Sequence, residues 1–167
     1  HGLKAGQAVI TVGGVVGYVF KPDVFTSQVL LITDRYANVD GVVQRSRARG
    51  IVEGKSSSTC QLLYVEKAAD VQPGDLIVTS GLDNIFPKGF PVATVDQVSS
   101  TPSSVSLKVD LTPVVDPNKI EEVFVILNAA EQDFNPPQQA AAPVVPAAEE
   151  TKKAQVTPVT PVKSTNQ

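Results

Sequence analysis

The chain has 167 residues, with 14 Lys and Arg against 17 Asp and Glu, for a net charge of -3. That balance argues against a nucleic-acid binder, which concentrates positive charge on one face. One Cys builds neither an internal disulfide nor a Cys-rich zinc site, and one His, at the first position, excludes a Ser-His-Asp triad, an HExxH site and a multi-His centre.

The elements are read in chain order. Gln7–Val12 predicts a strand, and Gly13-Gly14 a hairpin turn into a second strand, Val15–Phe20. Thr26–Thr33 predicts a third, ending at Asp34. Asp40-Gly41 predicts a turn before Val42–Arg45. Arg47–Glu53 and Cys60–Val65 predict a hairpin with a loose polar loop over 54–59. Pro73-Gly74-Asp75 predicts a turn into Leu76–Thr79. Pro91–Val98 and Val105–Leu111 predict a third hairpin, and Glu122–Leu127 a last strand. Asp116–Glu121 predicts a single helical turn. Residues 1–128 hold 23 Val, a β-branched type that favours strands. The expected fold class is all-β, with two small barrel-like or sandwich subdomains within 1–128.

Residues 129–167 differ in kind. All 11 Gly lie before them, and they hold six of the 13 Pro and eight Ala. Proline blocks regular structure every few residues, and few large apolar side chains remain to offset ordering entropy. The expectation is a disordered tail with polyproline II character. Met is absent, so His1 is not a translation start, and the sequence reads as a processed or excised piece. No apolar run approaches the 20 or so residues of a membrane-spanning helix.

Few residues offer chemistry. Ser80 with Lys88 is a conceivable dyad, but a turn at Ser80-Gly81 explains the same residues. Cys60, between Thr59 and Gln61, reads as structural. Arg45, Arg47 and Arg49 alternate, which on a strand puts three guanidiniums on one face. That face would serve an acidic partner, or solvation and edge protection. Scattered aspartates read as turn caps. No catalytic, metal or cofactor residue is assigned. The loop 81–91 carries Leu82, Ile85, Phe86 and Phe90, which either fold back onto the core or expose an apolar patch for a partner. These four, with Tyr18, Phe20 and Phe25 near turns, are the candidate protein-contact residues.

An ordered series of segments gives the sequence a resemblance. Val71–Leu82, followed by Ile85–Ala93, resembles the signature of the MreC family of rod shape-determining proteins. Gly14–Val19, Ser27–Asp34, Gln44–Gly54 and Glu121–Val125 are similar to that family's segments, in the family's order. The resemblance implies two barrel-like β subdomains on the outer side of the cytoplasmic membrane. An N-terminal anchor helix and a coiled coil would precede them, and both are missing from this chain along with the first β segment. It implies a non-enzymatic scaffold of side-wall peptidoglycan synthesis, able to self-associate. The implied partners are the elongation-specific penicillin-binding transpeptidase, RodA, MreD and the MreB system. A small β-barrel hydrolase and a glycan-binding module remain the alternatives.

Overall fold

A computed structural model describes residues 2–100, 102 and 104–127. Ten strands form: β1 (Ala8–Ile10), β2 (Val15–Pro22), β3 (Ser27–Leu31), β4 (Asn38–Val43), β5 (Arg49–Ser56), β6 (Thr59–Glu66), β7 (Leu76–Thr79), β8 (Pro91–Ser99), β9 (Ser106–Pro113) and β10 (Phe124–Val125). A 3-10 turn, Pro117–Lys119, precedes β10, capped by the Asp116 carboxylate, which accepts from the Asn118 N–H.

The strands divide into two units. β4-β5-β6-β9-β8-β7 close into an antiparallel barrel. β10-β1-β2-β3 form an open sheet, in which β3 and β10 are the edges. The chain starts in the sheet, builds the barrel, and returns to pair Val125 with Val9. The expected all-β class is present; of the two barrel-like or sandwich subdomains expected, one is a closed barrel and the other an open four-stranded sheet. The tail expected over 129–167 lies outside the described residues.

Strand alternation sets the core. Val39, Val43, Val52, Leu62, Val65, Ile77, Val92, Val95, Val109 and Leu111 point inward and are buried. One face of the sheet joins them, through Ala8, Val15 and Tyr18, with Ile10 and Leu30 packed alongside. Two glycines allow close approach. A Cβ on Gly17 would lie 1.9 Å from the Leu30 carbonyl oxygen, inside the β2–β3 pair. A Cβ on Gly54 would lie 2.2 Å from the Thr33 carbonyl, so the barrel presses backbone against backbone at the end of the sheet.

Three expectations need correction. Asp40-Gly41 makes no turn but lies inside β4, because Gly41 fits under the Ile77 and Val52 side chains, where a Cβ would meet them at 2.9 and 3.0 Å. The loop expected over 54–59 is a tight turn at Ser57-Ser58, because pairing continues to Ser56 and Thr59. Arg45, Arg47 and Arg49 share no strand face. Arg45 lies in the turn after β4, Arg47 has a left-handed φ of 65°, and only Arg49 is in a strand.

Candidate protein-contact surface

The loop 80–90 folds back. The Asp83 carboxylate accepts from the Ile85 and Phe86 N–H groups at 3.0 and 3.1 Å. The Thr79 hydroxyl donates to the Pro87 carbonyl and accepts from the Phe90 N–H. These bonds aim Phe86 into the core, where it is 2% exposed and meets the Tyr18 ring edge-on at 6.5 Å. Phe86 and Tyr18 therefore join barrel to sheet, and their side chains are not available to a partner. The apolar spacing of the loop belongs to this anchoring. Ile85 and Phe90 are half-buried against the same core. Leu82 remains exposed at 57%.

Burial and the nearby Asp34 carboxylate push the Tyr18 phenol up to about 12. Burial likewise pushes the Cys60 thiol up to about 12, and its Sγ lies 3.4 Å from the Ile32 carbonyl. A buried, protonated thiol is a packing group. The Ser80 hydroxyl accepts from the Leu82 N–H at 3.1 Å, which is a turn contact. Arg45 chelates the Asp75 carboxylate at 2.8 and 2.9 Å and also pairs with Asp70, joining the β4–β5 turn to the loop before β7. Among the described residues, no cluster of three metal-ligating side chains occurs.

The second face of the sheet is different. Val9, Val16 and Val19 are buried there, with Leu31 and Val125 beside them. Val115 and Ile120, carried in by the segment around the 3-10 turn, cover one end. The other end is open. A groove of about 780 Å³ runs over the Val19–Val29 cross-strand pair and Val125, walled by Leu3, Val24 and Phe25. Phe25 is 95% exposed at the β2–β3 turn, and Val24 is 65% exposed. Phe20 is half-buried, and the Lys21 ammonium lies 5.5 Å from its ring centre. Of the seven candidate contact residues, the structure thus leaves Phe25 and Leu82 open and brings Phe25 together with the groove. The groove's other residues were missed by the sequence reading. Their signal was present in part: β2 is apolar at both parities of its alternation, Val15 and Val19 on one and Val16 and Tyr18 on the other, and the bulge at Val16 then sorts Val15 with Tyr18 and Val16 with Val19.

A closed antiparallel barrel joined to an open sheet, with one apolar sheet face half open, defines an all-β protein of two units. The chain belongs to the MreC family: the family described as "Rod shape-determining protein MreC, barrel core" matches residues 1–127. It is 32% identical over 137 residues to the cell shape-determining protein MreC of Escherichia coli K12, covering 81% of this chain and 37% of that protein. It thus spans just over a third of this relative. The crystal structure of MreC from Pseudomonas aeruginosa superposes with a TM-score of 0.72 at 34% identity, covering 75% of this chain and 81% of that one. A structure described as a complex between penicillin-binding protein PBP2 and MreC from Helicobacter pylori superposes at 0.63 and 16% identity, covering 74% and 79%. At that identity the likeness speaks for the fold.

Proposed function

We propose that the chain is the β-rich part of a non-enzymatic scaffold that maintains rod cell shape by holding side-wall peptidoglycan-synthesis enzymes together. The observation that carries this reading is the solvent-facing apolar groove with Phe25 at its rim. Apolar surface of this kind marks protein contact. Family membership and the complex of PBP2 with MreC from Helicobacter pylori support the elongation-specific penicillin-binding transpeptidase as one partner. RodA, MreD and the MreB system are the other partners of this reading. The module works on the periplasmic side, tethered by an anchor helix that belongs to the longer protein. No bond is made or broken. A bound transpeptidase is shifted toward its active conformers to the extent that the scaffold binds those conformers more tightly.

The groove serves self-association. A second copy covers Val19, Val29 and Val125 and buries Phe25. Sedimentation velocity over a concentration series tests this. The chain sediments as a concentration-dependent oligomer, and Phe25→Ser with Val29→Ser shifts it to monomer. A wild-type chain that stays monomeric at about 100 μM, a concentration that populates even weak specific contacts, overturns the assignment of the groove.

A further inference from the structure

The course of the chain decides what stands nearest the open groove. β10 is antiparallel to β1, and β1 to β2, so β10 runs parallel to β2 toward the turn that carries Phe25. Val125 lines the groove, and the described residues end two positions later, at Leu127. The Leu127 carbonyl accepts from the Gln7 side-chain amide at 3.3 Å, and the Gln7 carbonyl accepts from the Val19 N–H at 2.9 Å. Residues 128–167 therefore set out level with Val19, on the groove's floor, heading for its Phe25 rim.

Composition matches one segment of the tail to the groove. Residues 134–148 carry no charged side chain, but Phe134, Val144, Val145 and four prolines. Among the described residues that line the groove, Asp23 alone is charged, and its carboxylate accepts from the Val24 N–H at 2.7 Å. The floor is made of side chains on a sheet face and not of a free strand edge, so an occupant needs no backbone donors there. Proline, which lacks a donor, loses nothing on such a surface. Proline-rich segments enter it already extended, at little cost in chain entropy, and pack on exposed aromatic rings. Phe25, 95% exposed, supplies the ring. Phe134 stands seven residues beyond Leu127, a reach of up to about 25 Å.

We infer that residues 134–146 fold back over the groove of their own chain and compete there with a second copy. Phe134 and Val144-Val145 cover Val19, Val29 and Val125, and the prolines lie against Phe25. Tethering gives the segment an effective concentration in the millimolar range, so a weak contact suffices. The tail thereby limits self-association without preventing it. The competition rests on the self-association reading above; the seating of the tail does not.

Nuclear magnetic resonance of the 167-residue chain tests the seating. Gln139→Cys accepts a nitroxide, while Cys60 stays unlabelled because it is fully buried and its thiol is pushed up to about 12. The label broadens the amide resonances of Val19, Thr26 and Val29 and leaves those of Tyr64 and Lys108, on the barrel, sharp. Spin-labelled chains without isotope, mixed at low concentration with isotope-enriched chains that carry no label, broaden nothing. Adding Phe134→Ser, Val144→Ser and Val145→Ser, which leave residues 2–127 untouched, restores the groove resonances. In sedimentation velocity that triple change tightens self-association about fivefold or more, as expected when the wild-type groove is free about a fifth of the time. Groove resonances that stay sharp, in a chain that self-associates, overturn the inference and leave the self-association reading standing. Equal broadening in the mixed sample assigns the segment to another copy and overturns its return to its own chain. Broadening with equal association of the wild-type and triple-variant chains overturns the competition. Broadening with no oligomer from either chain keeps the tail in the groove and overturns the self-association reading instead.

Discussion

Phe86 illustrates how one side chain can join two units. It leaves a loop that looks, by composition, like an apolar surface patch, yet Asp83 and Thr79 turn it inward onto Tyr18. Phe86→Ala opens a cavity at that junction and destabilises by about 3–5 kcal/mol, the range for a buried Phe. Thermal or denaturant unfolding measures this loss. Tyr18 adds a pH dependence. Its phenol titrates near 10 when unfolded and near 12 when folded, so the folded state favours the neutral form. The stability this provides is complete below pH 10 and is lost as pH rises from 10 towards 12. Tyr18→Phe removes that alkaline loss, and unfolding curves at pH 9 and 11 show it as a smaller drop than in wild type.

At the scale of elements, contacts between distant segments set the register. Arg45 fixes the β4–β5 turn to the loop before β7, and it holds the Asp70 and Asp75 carboxylates below their ordinary value of 3.8. Lowered folded values mean that this stabilisation is complete above pH 3.8 and is lost as pH falls further. Arg45→Gln is therefore less stable than wild type at pH 7, and the difference shrinks between pH 4 and pH 2. Melting temperatures of the two chains across that range check the sign. Gly54→Ala tests the barrel–sheet junction. Its Cβ would meet the Thr33 carbonyl at 2.2 Å, backbone that cannot yield as a side chain end would. The expected result is a Tm lower by several degrees, consistent with about 1–3 kcal/mol for overpacking.

Legibility in the sequence divides along the same line. Local signals were sufficient for strands: the Gly13-Gly14 hairpin and β7 stand where alternation and turn residues put them. Local signals failed where a partner segment decided the outcome. Asp40-Gly41 has turn composition, but Ile77 and Val52 close over Gly41 and hold it in β4. The Arg45–Arg49 alternation has strand spacing, but the chain turns over 44–46, where the Arg47 and Val43 N–H groups donate to the Val43 and Ala48 carbonyls, and Arg45 reaches Asp70 and Asp75 from that turn. The groove was readable only as doubled alternation in β2, and its open end depends on which segment covers the sheet.

On the scale of the whole molecule, the chain threads from sheet to barrel and back, and one core cluster draws residues from both units. Ser80 and Lys88, the pair with the most plausible chemistry in the sequence, lie within the anchoring loop, where Ser80 caps a turn. The function proposed for the protein is contact without catalysis. The most direct test is cell shape in bacteria whose native copy is replaced by the whole-length protein carrying one change at a time. Rods are expected with Ser80→Ala and with Lys88→Ala, and rounded cells with Phe25→Asp at equal protein level. Rounded cells with a stable, normally abundant Ser80→Ala protein, alongside rods with Phe25→Asp, would contradict it.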